Sequence, residues 1–377
     1  ASGPRTRGDA GAHVSDDEAA ETYEFYDVEQ ASYQPQPLLL PSLEFDPTVA
    51  PPTTTATLAT GPSALALERR RRASQAGGDL VFGGEGKKVP LNGFRVDALT
   101  DLAVDALHGR ADEERPFFMF VSFLEPHHQN NRFRTIGPKG WAKRFADYDV
   151  PADLKGTLGD WRWNYAEYLA CCASIDANLG RLTGALEAAG ELDDTIVVYS
   201  SDHGSHFRTR NAEYKRSPHD ASIRVPLVVR GPGFRGGQRS DALVSGLDLL
   251  PTLVSAAGAA PVPGDGHPLQ EFLDGRATRT SALVQISESQ VGRALRTERH
   301  TYAVTGAGLG RLARYRDSAA DVYEEHLLYD NVEDPAQRHN LAGTPVTAEL
   351  RRTLATQLED EIERLEGRRP RIDVAPS

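Results

Sequence analysis

The sequence is poor in sulfur, has no long apolar run and carries no basic excess. Of its 377 residues two are cysteines, the neighbours Cys171 and Cys172, which cannot build a disulfide framework. The longest apolar run, residues 117–124, is far shorter than the roughly 20 residues of a membrane-spanning helix. The net charge of −12 argues against nucleic acid, because a polyanion is bound by a basic surface. We therefore expect neither a membrane nor a nucleic-acid partner, while a small anionic substrate fits a locally positive site.

Residues 1–77 have the composition of a linker or a disordered segment. Two Pro-rich stretches, 34–37 and 51–55, and the basic run 69–72 interrupt a sequence with little sustained periodicity. The basic run is typical of a solvated segment. This opening lacks the apolar core of a signal peptide, and together with the unpaired cysteines this favours the cytoplasm.

The apolar pattern of the remaining chain predicts an α/β fold. We expect a sheet flanked by helices in residues 78–275 and a smaller C-terminal α+β subdomain with a terminal helix in residues 276–377. Asp248 is the expected N-cap of one helix and Gly258 its expected stop. The predicted helices are 96–107, 165–189, 248–257 and 348–365, and the predicted strands are 117–124, 195–199, 282–287 and 301–304.

A polar cluster follows the predicted buried parallel strand 195–199. Asp202, His203 and Gly204 stand where this β-branched run stops, and Lys215 comes shortly after them. Open α/β sheets bind ligands at the carboxyl ends of their strands. An Asp oxygen and a His nitrogen can bind one divalent cation, and a Lys can attract an anionic substrate. These residues therefore predict one half of a metal-dependent ester-hydrolysis site.

A second polar cluster follows the apolar run 117–124, which is also expected to be a buried strand. His127 and His128 come directly after this run. Because neighbouring strands of one sheet end at the same edge, we expect His127 to approach Asp202 and His203. For His128 the expected role is that of a loop histidine that fills the rim.

Together these segments resemble the sulfatase family of the alkaline-phosphatase-like superfamily, which also contains phosphonate and phosphodiester hydrolases. The resemblance runs in order over about residues 85–345. The matching stretches are the helix at 95–101, the Pro-Phe-Phe strand with its Pro-His at 116–127, the passage ending in Ser-Asp-His-Gly at 176–204, Tyr-Lys-Arg at 214–216, the passage ending in Gly-Pro-Gly at 223–233, Asp-Leu-Leu-Pro-Thr-Leu at 248–253, and the Leu-Tyr-Asp to Asn-Leu turn at 328–341. The resemblance implies an alkaline-phosphatase-like sheet and a sulfuric ester hydrolase.

The resemblance also implies a role for each matching residue. Asp202 and His203 would bind a divalent metal, usually calcium in sulfatases and sometimes manganese in the phosphonate-hydrolase branch. Lys215 and His127 would be catalytic, contacting the sulfate oxygens and stabilising the leaving group of a small anionic sulfate ester. The chemistry agrees, because sulfuryl transfer depends mainly on positioning and charge stabilisation.

Other polar residues have a functional and a structural interpretation that both stay open. His219, followed by Asp220, stands where many relatives carry a Tyr-Glu pair, so it is a candidate for substrate binding or for support of the site, or else part of a solvated loop. Arg293 and Arg296 are candidates for contact with an anionic substrate, although arginines on a strand are more often solvated.

Three features of the family have no match in this sequence. These are an early strand ending in an Asp-Asp metal pair, a Cys-x-Pro-Ser-Arg motif whose Cys becomes formylglycine, and a Gly-Lys-Trp-His-like segment. Cys171 and Cys172 do not fit the Cys motif, and Cys172 falls on the apolar stripe of the helix at 165–189, which predicts core packing. We therefore expect a truncated or rearranged family member whose own activity is an open question.

Three functions remain at this point. The first is metal-dependent sulfuric ester hydrolysis. The second is hydrolysis of phosphonate monoesters or phosphodiesters, since the Asp202-His203 pair suits that branch as well as the sulfatases. The third is a catalytically inactive fragment or a binding module.

Overall fold

A computed structural model describes residues 79–82, 87–90, 93–110, 115–129, 132–234, 236–309 and 312–375. The predicted linker-like segment 1–77 lies outside these residues. The chain divides into two units, one formed by residues 1–125 with 174–185 and the other by residues 126–173 with 186–377.

The first unit contains a short hairpin and a helix. Strands β1 (Asp79–Phe82) and β2 (Lys87–Pro90) pair antiparallel. Helix α1 (Arg95–His108) confirms the helix predicted at 96–107, and it buries one face that includes Val96 and Leu102. At its start Arg95 and Glu125 form a buried ion pair with Nη2 and Oε1 2.7 Å apart.

The predicted buried strand at 117–124 is wrong, because no strand is assigned over these residues. Exposed and half-buried side chains alternate along this stretch, and Phe118 and Phe120 are 50% and 74% exposed. An uninterrupted apolar run is typical of a strand covered on both faces. In this described run the side chains at 118, 120, 122 and 124 are exposed, so the run is not covered on both faces.

The second unit contains most of the long helix α2 (Trp161–Ala188) and a two-stranded sheet. Strand β3 (Val197–Ser200) confirms the predicted strand, although its described partner β4 (Leu227–Arg230) runs antiparallel and all four of its residues are half-buried. For the pair formed by β3 and β4, the predicted parallel and buried arrangement is therefore wrong. The short helix α3 (Asp220–Ile223) lies between the two strands in sequence.

Asp248 does not cap the helix that it precedes. Helix α4 (Leu249–Ala256) follows a short 3-10 turn, Gly246–Asp248, whose N-cap is Ser245. The Asp248 carboxylate returns to the backbone N–H of Ser245 and forms a capping box. It also accepts hydrogen bonds from Arg279 and from the backbone N–H of His267. Gly258 follows the helix with a left-handed φ of 67°, as expected of its stop.

The end of the chain forms a five-stranded sheet with one helix beside it. Helix α5 (Leu269–Leu273) precedes the strands β5 (Ser281–Ile286), β6 (Gly292–Thr297), β7 (His300–Gly306) and β8 (Val322–Asp330), and β9 (Arg371–Asp373) closes the sheet. The first four pair antiparallel, and β9 joins β8 in parallel. Helix α6 (Ala348–Glu366) confirms the predicted terminal helix.

The core of this sheet follows from the spacing of apolar residues in α6. Leu354, Leu358 and Ile362 recur every four residues on one helix face and are buried. They cluster with Leu295 and Tyr302 of the sheet, both fully buried. Within the described part of the chain, no helix is long and apolar enough to cross a membrane.

Candidate functional site

The loop after β3 is held in place by a close approach at Gly204. A Cβ atom on Gly204 would lie 2.2 Å from the carbonyl oxygen of Ala221, and the backbone N–H of Gly204 donates to the carbonyl of Ser222 at 2.8 Å. Only glycine permits this contact with α3. The glycine therefore fixes the position of the preceding Asp202 and His203.

The hydrogen bonds of His203 define its tautomer. Nδ1 of His203 lies 2.8 Å from the carbonyl oxygen of Gly204, which can only accept. Nζ of Lys215 lies 2.8 Å from Nε2 of His203, and a charged ammonium can only donate. The proton is therefore assigned to Nδ1, and the lone pair of Nε2 faces the cation. Histidines that bind metals have this arrangement, with the second ring nitrogen donating to a carbonyl.

Asp202 lies beside this lone pair. Its Oδ2 is 3.3 Å from Nε2 of His203, and its Oδ1 accepts the backbone N–H of His203 at 2.9 Å. The Asp202 side chain is 82% exposed. One carboxylate oxygen and one imidazole nitrogen are thus directed to the same small region, which is what two ligands of one divalent cation require.

His127 belongs to the same cluster. Its ring centroid lies 6.4 Å from that of His203, so the structure brings together the two histidines that follow the two predicted strands. Nδ1 of His127 lies 2.6 Å from the carbonyl oxygen of His128, and the hydroxyl of Tyr214 lies 2.8 Å from Nε2. The assignment is again a proton on Nδ1, with Nε2 accepting from the phenol.

Burial sets the protonation of the cluster. Burial is the largest cause that lowers the pKa of His127, and the nearby Lys215 and His203 add to it. Burial, followed by the charge of Arg216, lowers the pKa of Lys215, and burial raises the pKa of Tyr214. His127 is therefore a neutral acceptor at neutral pH and the Tyr214 hydroxyl keeps its proton.

His128 lies in the loop after residues 117–124, as the sequence predicts, but it is buried rather than placed at the rim. It is 7% exposed, and its ring stacks on Tyr214 with centroids 5.6 Å apart. Its Nε2 lies 3.9 Å from Oδ2 of Asp160 at the start of α2. It packs beneath the cluster, where its contact with Tyr214 holds the aromatic ring.

His219 is buried in a separate set of contacts. Its ring nitrogens lie 3.2 Å from the Ser217 hydroxyl and 3.2 Å from the Tyr329 hydroxyl, and burial lowers its pKa to about 3. Asp220 pairs with Arg296 at 2.9 Å. The solvated-loop interpretation of His219 and Asp220 is therefore wrong, while the role of His219 in substrate binding stays a prediction.

The remaining candidates have structural partners. Arg293 is buried and pairs with Glu366 at 2.6 Å. Cys171 is fully buried and its thiol donates to the carbonyl of Ile136, whereas the neighbouring Cys172 is half-buried. Burial raises the pKa of the Cys172 thiol to about 11, which keeps it protonated and unreactive at neutral pH.

Tyr214 is the residue of this cluster to which the sequence analysis assigned no role. Its neighbour Lys215 was predicted, and the two adjacent side chains contact the two different histidines, His127 and His203. A tyrosine beside a candidate lysine carries no functional signal in the sequence by itself, because its partner His127 lies 87 residues away.

Comparison with known proteins identifies similar sequences over most of the described chain. Residues 51–259 match the family model described as Sulfatase, and residues 212–364 match the model described as N-sulphoglucosamine sulphohydrolase, C-terminal. The N-acetylglucosamine-6-O-sulfatase of Bacteroides thetaiotaomicron is 31% identical over 231 residues, which are 58% of this chain and 40% of that relative. The chain thus spans two fifths of the length of this curated relative.

Solved structures show the same fold. A protein in complex with D-glucosamine-2-N,6-O-disulfate is similar with a TM-score of 0.57 and 21% identity, over 79% of this chain and 78% of that one. The phosphonate monoester hydrolase of Agrobacterium radiobacter is similar with a TM-score of 0.56 and 24% identity, over 70% and 60%. The predicted alkaline-phosphatase-like α/β fold is confirmed.

Proposed function

The chain belongs to the sulfatase family, and from that premise we propose that it takes part in the metal-dependent hydrolysis of a small sulfate ester. The observation that carries the proposal is the cluster of Asp202, His203, Lys215 and His127. The Lys215 ammonium and the Asp202 carboxylate lie 2.8 and 3.3 Å from Nε2 of His203, and the His127 ring lies 6.4 Å from the His203 ring.

Lys215 and His127 have the chemistry to act on the sulfate group. The Lys215 ammonium would supply a positive charge for the sulfate oxygens, and at a partly buried position its attraction for an anion is stronger than in water. The His127 ring lies 6.4 Å from that of His203, and its imidazole would contact the ester oxygen when Nε2 is protonated. In hydrolysis a water oxygen bonds to the sulfur as the ester S–O bond breaks, which leaves negative charge on the ester oxygen. The Lys215 ammonium would stabilise this charge, and His127 would do so once its Nε2 carries a proton.

Asp202 and His203 fit a divalent metal. The Nε2 lone pair of His203 already faces a cation, the Lys215 ammonium, and the exposed Asp202 carboxylate lies next to it. Sulfatases generally depend on a divalent metal, and we propose calcium, with manganese as the alternative. These two residues would supply part of its shell, since calcium takes about six to eight ligands and the described residues contain no group of three or more His, Cys, Asp and Glu placed to hold an ion. When bound, the metal would supply positive charge for the sulfate oxygens.

A sulfated amino sugar is the proposed substrate class. The names of a curated relative and of a ligand bound to a solved structure both specify sulfated glucosamine derivatives. The chain's own cluster recognises the anionic group, which a sulfated sugar and an aryl sulfate share. The proposal of an amino sugar is therefore based on the relatives, whereas the proposal of a sulfate group is based on this chain's own residues.

Product analysis with purified protein tests the proposal. Glucosamine 6-sulfate, an aryl sulfate and an aryl phosphonate monoester are incubated with Ca²⁺ or Mn²⁺, and the release of sulfate or of the phosphonate product is measured. We expect sulfate release by the wild type and by Asp241→Ala, which removes an exposed carboxylate elsewhere, and none by Asp202→Ala.

Each other outcome favours a different function. Faster cleavage of the phosphonate than of either sulfate would favour the phosphonate hydrolases. The absence of any turnover by a folded chain would favour an inactive fragment or a binding module.

A further inference from the structure

Tyr214 connects the two parts of the cluster, and its contacts go beyond those of a core aromatic residue. We propose that Tyr214 is a positioning residue that sets the ring orientation and the tautomer of His127. The inference rests on the proposed function only where it assigns His127 to the substrate, because the contact between Tyr214 and His127 is a property of the structure itself.

The hydrogen bond from Tyr214 is the long-range restraint on the His127 ring. Nδ1 of His127 contacts the backbone carbonyl of the next residue, His128, at 2.6 Å, which restrains the ring only relative to its own loop. Nε2 instead accepts from the Tyr214 hydroxyl at 2.8 Å, across 87 residues of sequence. The phenol can rotate its proton toward Nε2, and that position stabilises the form with its proton on Nδ1.

Tyr214 is itself held firmly. Its ring stacks on the buried ring of His128, with an interplanar angle of 25°, and meets the edge of the His127 ring with centroids 5.3 Å apart. The Lys215 ammonium lies 5.7 Å from the centre of the same ring. The backbone carbonyl of Tyr214 also accepts the N–H of the buried His206 at 2.8 Å. A hydroxyl on such a fixed ring can define the position of its partner.

The consequence concerns how His127 meets the sulfate group. With its proton on Nδ1 and its Nε2 lone pair held by the phenol, the His127 ring offers an anion no N–H, so a sulfate that contacts Nε2 must displace the Tyr214 hydroxyl. Loss of one hydrogen bond of this kind corresponds to about a fivefold change in an equilibrium. Tyr214→Phe keeps the aromatic ring on His128 and removes only the hydroxyl, so the fold is expected to persist.

Imidazole NMR of the full chain tests this inference directly. Long-range ¹H–¹⁵N correlations distinguish the two tautomers of each histidine, and His127→Gln assigns the signals of His127. We expect the wild type to show His127 with its proton on Nδ1 and Tyr214→Phe to shift the Nε2 signal. Tyr165→Phe is the matched control, because Tyr165 packs on Tyr168 and Phe207 and leaves the His127 signals unchanged.

Two results would overturn the inference. One is a wild-type His127 with its proton on Nε2, which needs no variant to observe. The other is a set of His127 signals that is identical in the wild type and in folded Tyr214→Phe.

A titration with inorganic sulfate, followed at the same signals, measures the effect on the anion. We expect the midpoint to fall about fivefold in Tyr214→Phe, because loss of the hydroxyl frees Nε2 of His127 to be protonated and to donate to the anion, and equal midpoints would contradict the positioning role. A wild type that binds no sulfate would contradict the proposed function instead, and the tautomer measurement would still decide the inference.

Discussion

Nζ of Lys215 lies 2.8 Å from Nε2 of His203, so the ring nitrogen best placed to bind a metal is already in contact with a cation of the chain. The Asp202 carboxylate, whose Oδ2 lies 3.3 Å from the same nitrogen, is attracted to the Lys215 ammonium. A divalent ion that binds Asp202 and His203 must therefore share them with Lys215. We therefore expect the affinity for a divalent metal to depend on the charge of Lys215.

Removing the Lys215 charge is expected to strengthen metal binding. Lys215→Met removes a competing donor and a like charge, and the affinity for Mn²⁺ should rise about fivefold, because two charges about 4 Å apart interact by about 1 kcal/mol even in water. Asp202→Asn should lower the affinity about tenfold. Isothermal titration calorimetry measures both, with the exposed Lys143→Met as a control that leaves the affinity unchanged. A weaker affinity in Lys215→Met would show that the lysine supports the metal site.

Gly204→Ala is expected to destabilise the second unit. The added Cβ would lie 2.2 Å from the carbonyl oxygen of Ala221, so the loop or α3 must shift, at a cost of about 1–3 kcal/mol in the free energy of unfolding. Gly184→Ala is the matched control, since a Cβ there meets nothing within 4 Å in α2 and alanine favours a helix. Urea unfolding of both variants checks the prediction. Equal stabilities would contradict the close approach at Gly204.

Replacing one partner of the ion pair between Glu325 and Arg351 is expected to lower the free energy of unfolding much more than replacing both. Their side chains are 1% and 0% exposed, and Nη1 of Arg351 lies 2.6 Å from Oε2 of Glu325. Glu325→Gln leaves the arginine charge buried without its partner and should cost about 3–5 kcal/mol. The double variant Glu325→Leu/Arg351→Met should recover most of this loss in thermal unfolding. Arg371→Met, which breaks an exposed pair with Asp373, should cost less than about 1 kcal/mol.

The buried His219 is expected to make stability depend on pH below about 6.5. Burial lowers its pKa to about 3 in the folded protein, whereas an unfolded histidine titrates near 6.5. Between these values the unfolded chain binds a proton that the folded chain does not, so the free energy of unfolding falls as the pH falls. His206, whose pKa burial lowers to about 4, acts in the same direction.

Urea unfolding at several pH values tests this dependence. His219→Gln should reduce the slope between pH 6 and 4 by about 1.4 kcal/mol per pH unit, the effect of one proton. The exposed His108→Gln should leave the slope unchanged. A slope that is the same in His219→Gln and the wild type would contradict a buried neutral imidazole.

Local patterns predicted the long helices and the strands at 195–199, 282–287 and 301–304, but not the conformation of residues 117–124. The periodicity of apolar residues located α1, α2 and α6 to within a few residues, because a helix makes its hydrogen bonds within its own segment. A strand depends on a partner that the pattern does not identify. The run 117–124 is apolar at nearly every position, yet Phe118 and Phe120 are exposed in the described structure.

The same distinction applies to the candidate site. Asp202, His203, Lys215 and His127 were identifiable because their residue types and their place after apolar runs are characteristic of one chemistry. The role of Tyr214 was not identifiable, since a tyrosine next to a lysine has no special meaning until a distant histidine is placed against its hydroxyl. The burial of His128 was not predicted for the same reason, because it depends on the ring of Tyr214 and on Asp160.

The sequence by itself determined the family, the fold class and the types of side chain available for chemistry, because these depend on residue identity and order along the chain. The tertiary structure alone decided which ring nitrogen of His203 and of His127 keeps its lone pair. It also decided that neighbouring residues 214 and 215 contact different histidines. Tautomers and contacts of this kind depend on hydrogen bonds between segments far apart in sequence, and only folding brings those segments together.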